Sequence, residues 1–328
     1  MILSLIERNR YEIVLAIESS LKYQIQKIRD LCKKVEFELD EPRKSWYINS
    51  TDFEHNVDFL INSFSVLIEY YHSWVIQQRI GLSKPDIKIE YKAIEKNNND
   101  LVDTVLEKYK VGKTDRPELY DFDLYEKCKM RYLSDMSFFF IGKNQEVFVL
   151  NNYIKHNSMM RGYAPRIKVE DEEFSFAYVY IDNIHTKLLN RSLLKCLSSH
   201  NLNDIRNLND IKDSLNDEYY QNYVTENNCS LHKINGLDII VINGLEYVKS
   251  SNSIGLTIES LLESIKLASI DILNVMIDEL DCNAIIGSTD MNNFSTLKND
   301  FKTRTPNTIG NLLKKTVNKT FQQIPSLN

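Results

Sequence analysis

The stretch LSLIERNRYEIVLAIESSLKYQIQKIRDLC, residues 3–32, decides the fold of the amino-terminal half. Its apolar side chains recur at intervals of three, four and seven residues, which aligns them along one side of an α-helix. The pattern therefore predicts a long amphipathic helix that packs its apolar side into a bundle. The apolar positions are Leu3, Ile6, Ile13, Ile17, Leu21, Ile25, Ile28 and Leu31.

Three later segments predict further helices of the same bundle. The segment 51–81 opens with a T-x-x-E capping box and keeps an apolar periodicity of three and four. The segment 115–142 opens with an aspartate cap and a proline two residues later, where a first helical turn tolerates the missing N–H. A shorter helix is expected over residues 145–157. Because aromatic residues in helix bundles are usually core, Tyr70 and Tyr71 are interpreted as buried.

The pattern changes to β-structure after Pro165. Residues 174–180 alternate aromatic and small side chains at period two, which predicts a strand. Residues 230–250 predict a β-hairpin with Asn243–Gly244 as its turn. A strongly amphipathic segment, 257–280, then predicts another helix.

The predicted fold class is mainly α, with an amino-terminal helical bundle over residues 1–162 and an α+β carboxy-terminal region over residues 163–328. The formal net charge of −6 argues against a nucleic-acid backbone contacting the whole surface, but it permits a local basic patch. Segment 301–321 has five basic and no acidic residues, so it could contact phosphate or could be a solvated helix end and tail.

Composition excludes several classes of protein. Only 9 glycines and 6 prolines in 328 residues exclude a collagen-like or linker-like chain. The five cysteines lie far apart without a CxxC pair, which predicts buried thiols in a reducing compartment. Glu7 and Arg8 interrupt the apolar start too early for a signal peptide, and no run reaches the roughly 18 apolar residues of a membrane span. We therefore expect a cytoplasmic protein.

One short motif suggests a family. Residues 151–157, NNYIKHN, end a predicted bundle helix and resemble the signature of HEPN domains, a superfamily of small helical bundles. In that family an arginine is followed by a polar residue and, a few positions later, by histidine. Here the polar follower is Asn152 and the histidine is His156. Asn151 occupies the position where the family has its arginine.

The resemblance implies a metal-independent endoribonuclease without cofactor, in which two subunits of a homodimer bring their motifs together. His156 would transfer protons around the ribose 2′-hydroxyl, with Asn152 as its polar neighbour. The family's arginine offsets phosphate charge, and Asn151 cannot do so. Arg161 or Arg131 would have to replace it. RNA is the expected partner, and a bacterial toxin or phage-defence system is the implied context.

Three alternatives remain open. The bundle could bind RNA or nucleotide without cutting. The chain could be a non-catalytic scaffold that presents a helix face, such as that of segment 257–280, to a protein partner. A metal-assisted hydrolase could use His156, Asp182 and His185, although Asp182 also fits a structural helix cap. Phosphate-binding glycine loops of the GxxxxGK[ST] and GxGxxG types are absent from the sequence.

Overall fold

We describe the chain from a computed structural model. The structure describes residues 5–40, 51–80, 122–140, 147, 151, 161–163, 167–169, 172–174, 177–181, 230–234, 237–242, 245–249, 254–282 and 288–301.

Helices account for most of these residues, so the mainly α fold class is confirmed. None of the described helices is long and apolar enough to cross a bilayer. The helices are α1 (Leu5–Asp40), α2 (Thr51–Trp74), which a π-helical turn (Val75–Arg79) continues, α3 (Phe122–Phe140), α4 (Ile258–Cys282) and α5 (Ser288–Phe301).

The periodic positions predicted as core are buried wherever the structure describes their side chains, with the exception of Ile17. In α2 every predicted core position is fully buried. The helices form because one stripe of each is apolar, and that stripe is the side removed from water. The confirmed positions are Leu21, Ile25, Ile28 and Leu31 in α1, Phe53, Val57, Leu60, Phe64, Leu67, Tyr71 and Val75 in and just after α2, and Leu261, Ile265, Ala268, Ile272 and Met276 in α4.

Eight short strands form two antiparallel sheets in the described residues. The larger sheet has six strands in the order β1-β4-β8-β7-β6-β5, and β2 pairs with β3 in the smaller one. The strands are β1 (Arg161–Tyr163), β2 (Ile167–Val169), β3 (Glu172–Phe174), β4 (Ala177–Ile181), β5 (Ser230–Ile234), β6 (Leu237–Ile242), β7 (Leu245–Lys249) and β8 (Ile254–Thr257).

The predicted hairpin is confirmed. Strands β6 and β7 pair antiparallel, with Ile242 opposite Leu245, which leaves Asn243 and Gly244 as the two residues between them. An Asn-Gly pair is favoured there because both positions of the tight hairpin turn need a positive φ.

Three expectations need correction. The single strand predicted over residues 174–180 is two strands, because β3 ends at Phe174 in the small sheet and β4 begins at Ala177 in the large one. Period-two alternation does not reveal where a chain passes from one sheet to another. Tyr70, which was expected to be buried, is 39% exposed. Neighbouring residues of a helix point in directions about 100° apart, so Tyr70 leaves the apolar side on which Tyr71 is buried. Helix α5 is an element that the sequence analysis did not predict.

The chain forms two compact units, each made of three separate segments. The first unit contains Met1–Leu31, Val57–Phe148 and Ala268–Phe301. The second contains Cys32–Asn56, Val149–Leu267 and Lys302–Asn328. The boundary near residue 162 stays a prediction.

The first unit has a helical core built around four aromatic rings. The ring of Phe139 lies 6.4 Å from that of Phe64 and 5.7 Å from that of Tyr71, centroid to centroid. Tyr71 in turn stacks on Trp74 at 5.9 Å. Such rings bury large apolar areas and favour tilted or offset contacts, so they define how α2 and α3 pack.

Two side-chain hydrogen bonds fix the direction of α1 against α2 in this unit. Gln24 Nε2 donates to the main-chain oxygen of Ser63 at 2.8 Å, and Trp74 Nε1 donates to Glu18 Oε1 at 3.1 Å. Glu18 precedes Gln24 in α1, whereas its partner Trp74 follows Ser63 in α2, so the two helices are antiparallel.

The second unit contains the six-stranded sheet and the beginning of α4. Leu245, Glu246, Tyr247 and Val248 of β7 are all buried. Because successive side chains of a strand point to opposite faces, both faces of the sheet are covered at β7. Lys266 of α4 also pairs with Glu36 of α1 within this unit.

Candidate functional site

The arginine position of the HEPN-like motif is buried. Asn151 is helical and 1% exposed, and its side-chain nitrogen Nδ2 has no hydrogen-bond partner in the structure described here. A neutral amide at this depth has neither the charge nor the access needed to contact a phosphate. The other predicted members of this motif, Asn152 and His156, lie outside the described residues.

The replacement cation Arg161 begins strand β1. Its backbone is in register with Val179, which in turn is opposite Leu256, and Leu256 is opposite Tyr247. The backbone register therefore runs from Arg161 through Val179 and Leu256 to Tyr247 across four strands of the large sheet. The other suggested replacement, Arg131, lies on α3 in the first unit and contacts Glu279 there.

A metal centre finds no support in the described part of the chain, where no three His, Cys, Asp or Glu side chains come close enough to hold an ion. The predicted pair Asp182 and His185 lies outside it. The expectation of a protein without metal thus stays a prediction.

Two arginines and two acids form a charged network inside the first unit. Arg79 Nε lies 2.9 Å from Asp135 Oδ2, and its Nη2 lies 3.2 Å from Oδ1. Arg79 Nη1 also pairs with Glu279 Oε2, from which Arg131 Nη2 is 3.7 Å distant. The hydrogen bonds that Arg79 donates, first to Asp135 and then to Glu279, outweigh its burial and raise the pKa of Arg79.

This network is neutral overall, since two cations face two carboxylates. Tyr71 donates a hydrogen bond to the main-chain oxygen of Asp135 at 3.0 Å, and burial raises the pKa of that phenol further above neutrality. The guanidinium of Arg79 is already engaged on both sides. The network therefore fits a structural role as a set of salt bridges better than the binding of an anion.

His72 is a core histidine. Its Nε2 lies 3.0 Å from the hydroxyl of Tyr132, and the two rings meet edge to face. The side chain is fully buried on α2. It has no route to a substrate in this conformation.

A second polar cluster joins the sheet to α4 in the second unit. Ser260 Oγ accepts hydrogen bonds from the Glu246 N–H at 3.1 Å and from the Thr257 hydroxyl at 2.8 Å. It donates to the main-chain oxygen of Thr257 at 3.1 Å. All three residues are buried, so the cluster stabilises the start of α4 against β7.

The outer side of α1 combines exposed aromatic rings with lysines. Tyr23 is 66% exposed and Phe37 is 65% exposed, and Lys27, Lys33 and Lys34 between them are exposed as well. We call these five residues the α1 outer face. An aromatic ring stacks on a nucleic-acid base and an ammonium group contacts a phosphate, so this combination is typical of single-strand binding surfaces.

Comparison with known proteins gives no relative: no family model, no curated protein and no solved structure matches the chain.

The sequence analysis missed both the network and the α1 outer face. Asp135 lies 56 residues after Arg79, and Glu279 lies 200 residues after it. No local sequence pattern could therefore indicate that they form one network. The signal for the α1 outer face was present, because Tyr23 and Phe37 fall outside the apolar stripe of their helix. A search for aromatic residues on the polar side of a helix would have found it.

Proposed function

We propose that the chain is a HEPN-like protein that binds RNA and does not cut it by the arginine–histidine chemistry of that family. The resemblance rests on the NNYIKHN motif, residues 151–157, in a mainly helical chain. RNA is the ligand class that this resemblance implies. Binding is favoured over cleavage because of the residue at the arginine position.

The burial of Asn151 is the observation that carries this proposal. Cleavage at the ribose 2′-hydroxyl needs a cation against the developing phosphate charge, and loss of one such group typically costs about 10²–10³ in rate. Asn151 is neutral and 1% exposed. It therefore supports a bundle that does not carry out this cleavage chemistry, while RNA binding rests on the resemblance of residues 151–157.

Incubation of the purified protein with total RNA in EDTA tests the chemistry. We expect RNA to remain intact with wild type and with His156→Ala alike. His156→Gln is a second variant, since it keeps a polar side chain while removing proton transfer near neutral pH. Cleavage by wild type that both variants abolish would show an active ribonuclease and would overturn the non-cleaving part of the proposal.

The same preparation measured by filter binding tests the interaction with RNA. Retention of labelled RNA that falls as salt rises is the expected result, because binding releases counterions from phosphates. No retention at low salt would overturn the proposal as a whole. Light scattering after gel filtration gives the mass, which a homodimer of the kind implied by the resemblance would double.

A non-catalytic protein-binding role is the second candidate. Phe122 and Met130 of α3 are 59% and 65% exposed, and Phe59 of α2 is also largely exposed. Apolar side chains in water are a feature of protein-binding surfaces when they lie together. A partner that binds wild type and is lost from Phe122→Ser and Met130→Ser would support this role, while RNA binding without a protein partner would contradict it.

A further inference from the structure

We propose that the α1 outer face binds single-stranded RNA, with Tyr23 and Phe37 stacking on bases and Lys27, Lys33 and Lys34 contacting phosphates. This inference rests on the proposed function and adds to it the strandedness of the RNA and the surface that holds it. It concerns one side of a single helix.

The aromatic side chains are the first reason. The opposite side of α1 is the buried stripe that includes Leu21, Ile25 and Ile28, so the helix needs no apolar residue on its outer side for folding. Tyr23 and Phe37 nevertheless expose about two-thirds of their surface there. They are separated by nearly four helical turns, about 21 Å, and they differ in direction by only about 40°. One extended strand can therefore reach both rings.

The lysines are the second reason. Lys27 follows Tyr23 by four residues, and Lys33 precedes Phe37 by four, so each lysine is next to a ring on the helix surface. Lys34 is on the Lys27 side, one heptad further along. The lysines thus flank the line between the two rings, as phosphates flank the bases of a strand.

The only exposed acid between Tyr23 and Phe37 is Asp30. It is already held by Arg29, whose Nη2 lies 2.9 Å from Asp30 Oδ1. Arg29 also pairs with Asp300 at 3.0 Å. The three lysines therefore outnumber the acidic charge on this side of α1, although the whole chain carries a net charge of −6.

The spacing favours a single strand over other anionic partners. A membrane-surface helix needs a continuous apolar side, whereas charged Asp30 lies between the two rings here. A duplex keeps its bases stacked on one another, so it offers phosphates to the lysines but no base faces to Tyr23 and Phe37. A single strand offers both.

Fluorescence anisotropy with a labelled RNA of mixed sequence, about ten nucleotides long, tests this inference, since single-strand sites cover about 4–16 nucleotides. We expect Tyr23→Ala and Phe37→Ala each to weaken binding roughly 5- to 150-fold. The triple variant Lys27→Gln/Lys33→Gln/Lys34→Gln should lower the slope of log affinity against log salt by about 2, at about 0.7 for each lost phosphate contact.

Tyr70→Ala on α2 and Lys127→Gln on α3 are the matched controls, because they remove an exposed aromatic ring and an exposed lysine from other helices. They should bind RNA as wild type does. Since all of these positions are exposed, thermal unfolding should remain the same and a folding defect would be detected at once.

Four results would overturn the inference. If wild type binds RNA and the α1 variants bind equally well, the surface is wrong while the proposed function stands. Equal competition by a duplex of the same length would contradict the single-strand specificity. Binding to vesicles of anionic lipid, but not to RNA, would indicate a membrane surface instead. If wild type binds neither the single-stranded RNA nor the duplex, both this inference and the proposed function are wrong.

Discussion

Arg79 and Asp135 form a bidentate ion pair within the first unit, with donor–acceptor distances of 2.9 and 3.2 Å. The pair depends on an irregularity in the helix, because the π-helical turn Val75–Arg79 carries Arg79. The N–H of Ile80 bonds to Val75 O at 3.0 Å, five residues back rather than four. Such a turn adds a residue and so changes the direction in which Arg79 leaves the helix.

Removal of one partner from this network should strongly destabilise the first unit. In Asp135→Ala the partly buried guanidinium of Arg79 loses its bidentate acceptor and keeps only Glu279, so we expect a loss of about 1.5–3 kcal/mol. The free energy of unfolding from urea titration measures this loss. The matched control is Asp30→Ala, which breaks the more exposed pair with Arg29 and should cost at most about 1 kcal/mol. Equal losses in the two variants would contradict a structural role for the network.

The aromatic core of the first unit should respond more than the surface to the same substitution. Phe139→Ala removes a buried ring that contacts Phe64 and Tyr71, and we expect a loss of about 3–5 kcal/mol. Phe122→Ala, on the same helix but 59% exposed, should change stability by no more than about 0.5 kcal/mol. Chemical denaturation of both variants decides. A small effect at Phe139 would mean that α3 packs differently.

Cys32 should be inert at neutral pH and should destabilise the protein at alkaline pH. Burial raises the pKa of its thiol from 9.0 to about 12. A pKa that folding raises adds stability below the unfolded value, and this stability is lost as pH rises from about 9 towards 12. The unfolding free energy of wild type should thus fall more steeply over this range than that of Cys32→Ala.

Thiol titration gives a second measurement of the same property, because the thiolate is the reactive species. Because the chain has five cysteines, folded wild type should label as many thiols with a disulfide reagent as folded Cys32→Ala does. The exposed cysteine of a Ser19→Cys control in the Cys32→Ala background should add one labelled thiol. Rapid labelling of Cys32 in the folded protein at neutral pH would show that it is not buried.

The junction between the sheet and α4 should depend on one hydroxyl. Ser260→Ala removes the acceptor for the Glu246 N–H and for the Thr257 hydroxyl, and a buried polar group left without a partner costs about 1–3 kcal/mol. Hydrogen exchange should then become faster in β7. Ser19→Ala, at an exposed position of α1, should leave the exchange rates as they are. Unchanged protection of β7 in Ser260→Ala would show that the junction does not rely on this side chain.

The helices were predictable because their periodicity is a local property. The buried positions of α2, from Phe53 to Val75, recur every three or four residues, and the burial pattern follows them. The hairpin β6–β7 was predictable for a similar reason, since the Asn-Gly pair selects the tight turn. Strand β8, by contrast, is only four residues long and leads directly into α4, so its periodicity is too short to recognise.

The candidate site was less predictable because it depends on the third dimension. The motif at residues 151–157 is local and could be found. Asn151 follows Val147 by four residues in the predicted helix, so the same periodicity indicates the inner side on which both are buried. The pairing of Arg79 with Asp135 joins helices far apart in the chain. Tyr23 and Phe37 belong to the α1 outer face only because the helix axis brings them to the same side.

Binding and integrity of one RNA sample, measured together, test the central claim most directly. A labelled single-stranded RNA is titrated with wild-type protein in EDTA, its anisotropy is followed, and the same samples are then run on a denaturing gel. We predict a salt-sensitive rise in anisotropy with full-length RNA on the gel. An unchanged anisotropy at low salt, or RNA fragments that vanish with His156→Ala, would contradict the account.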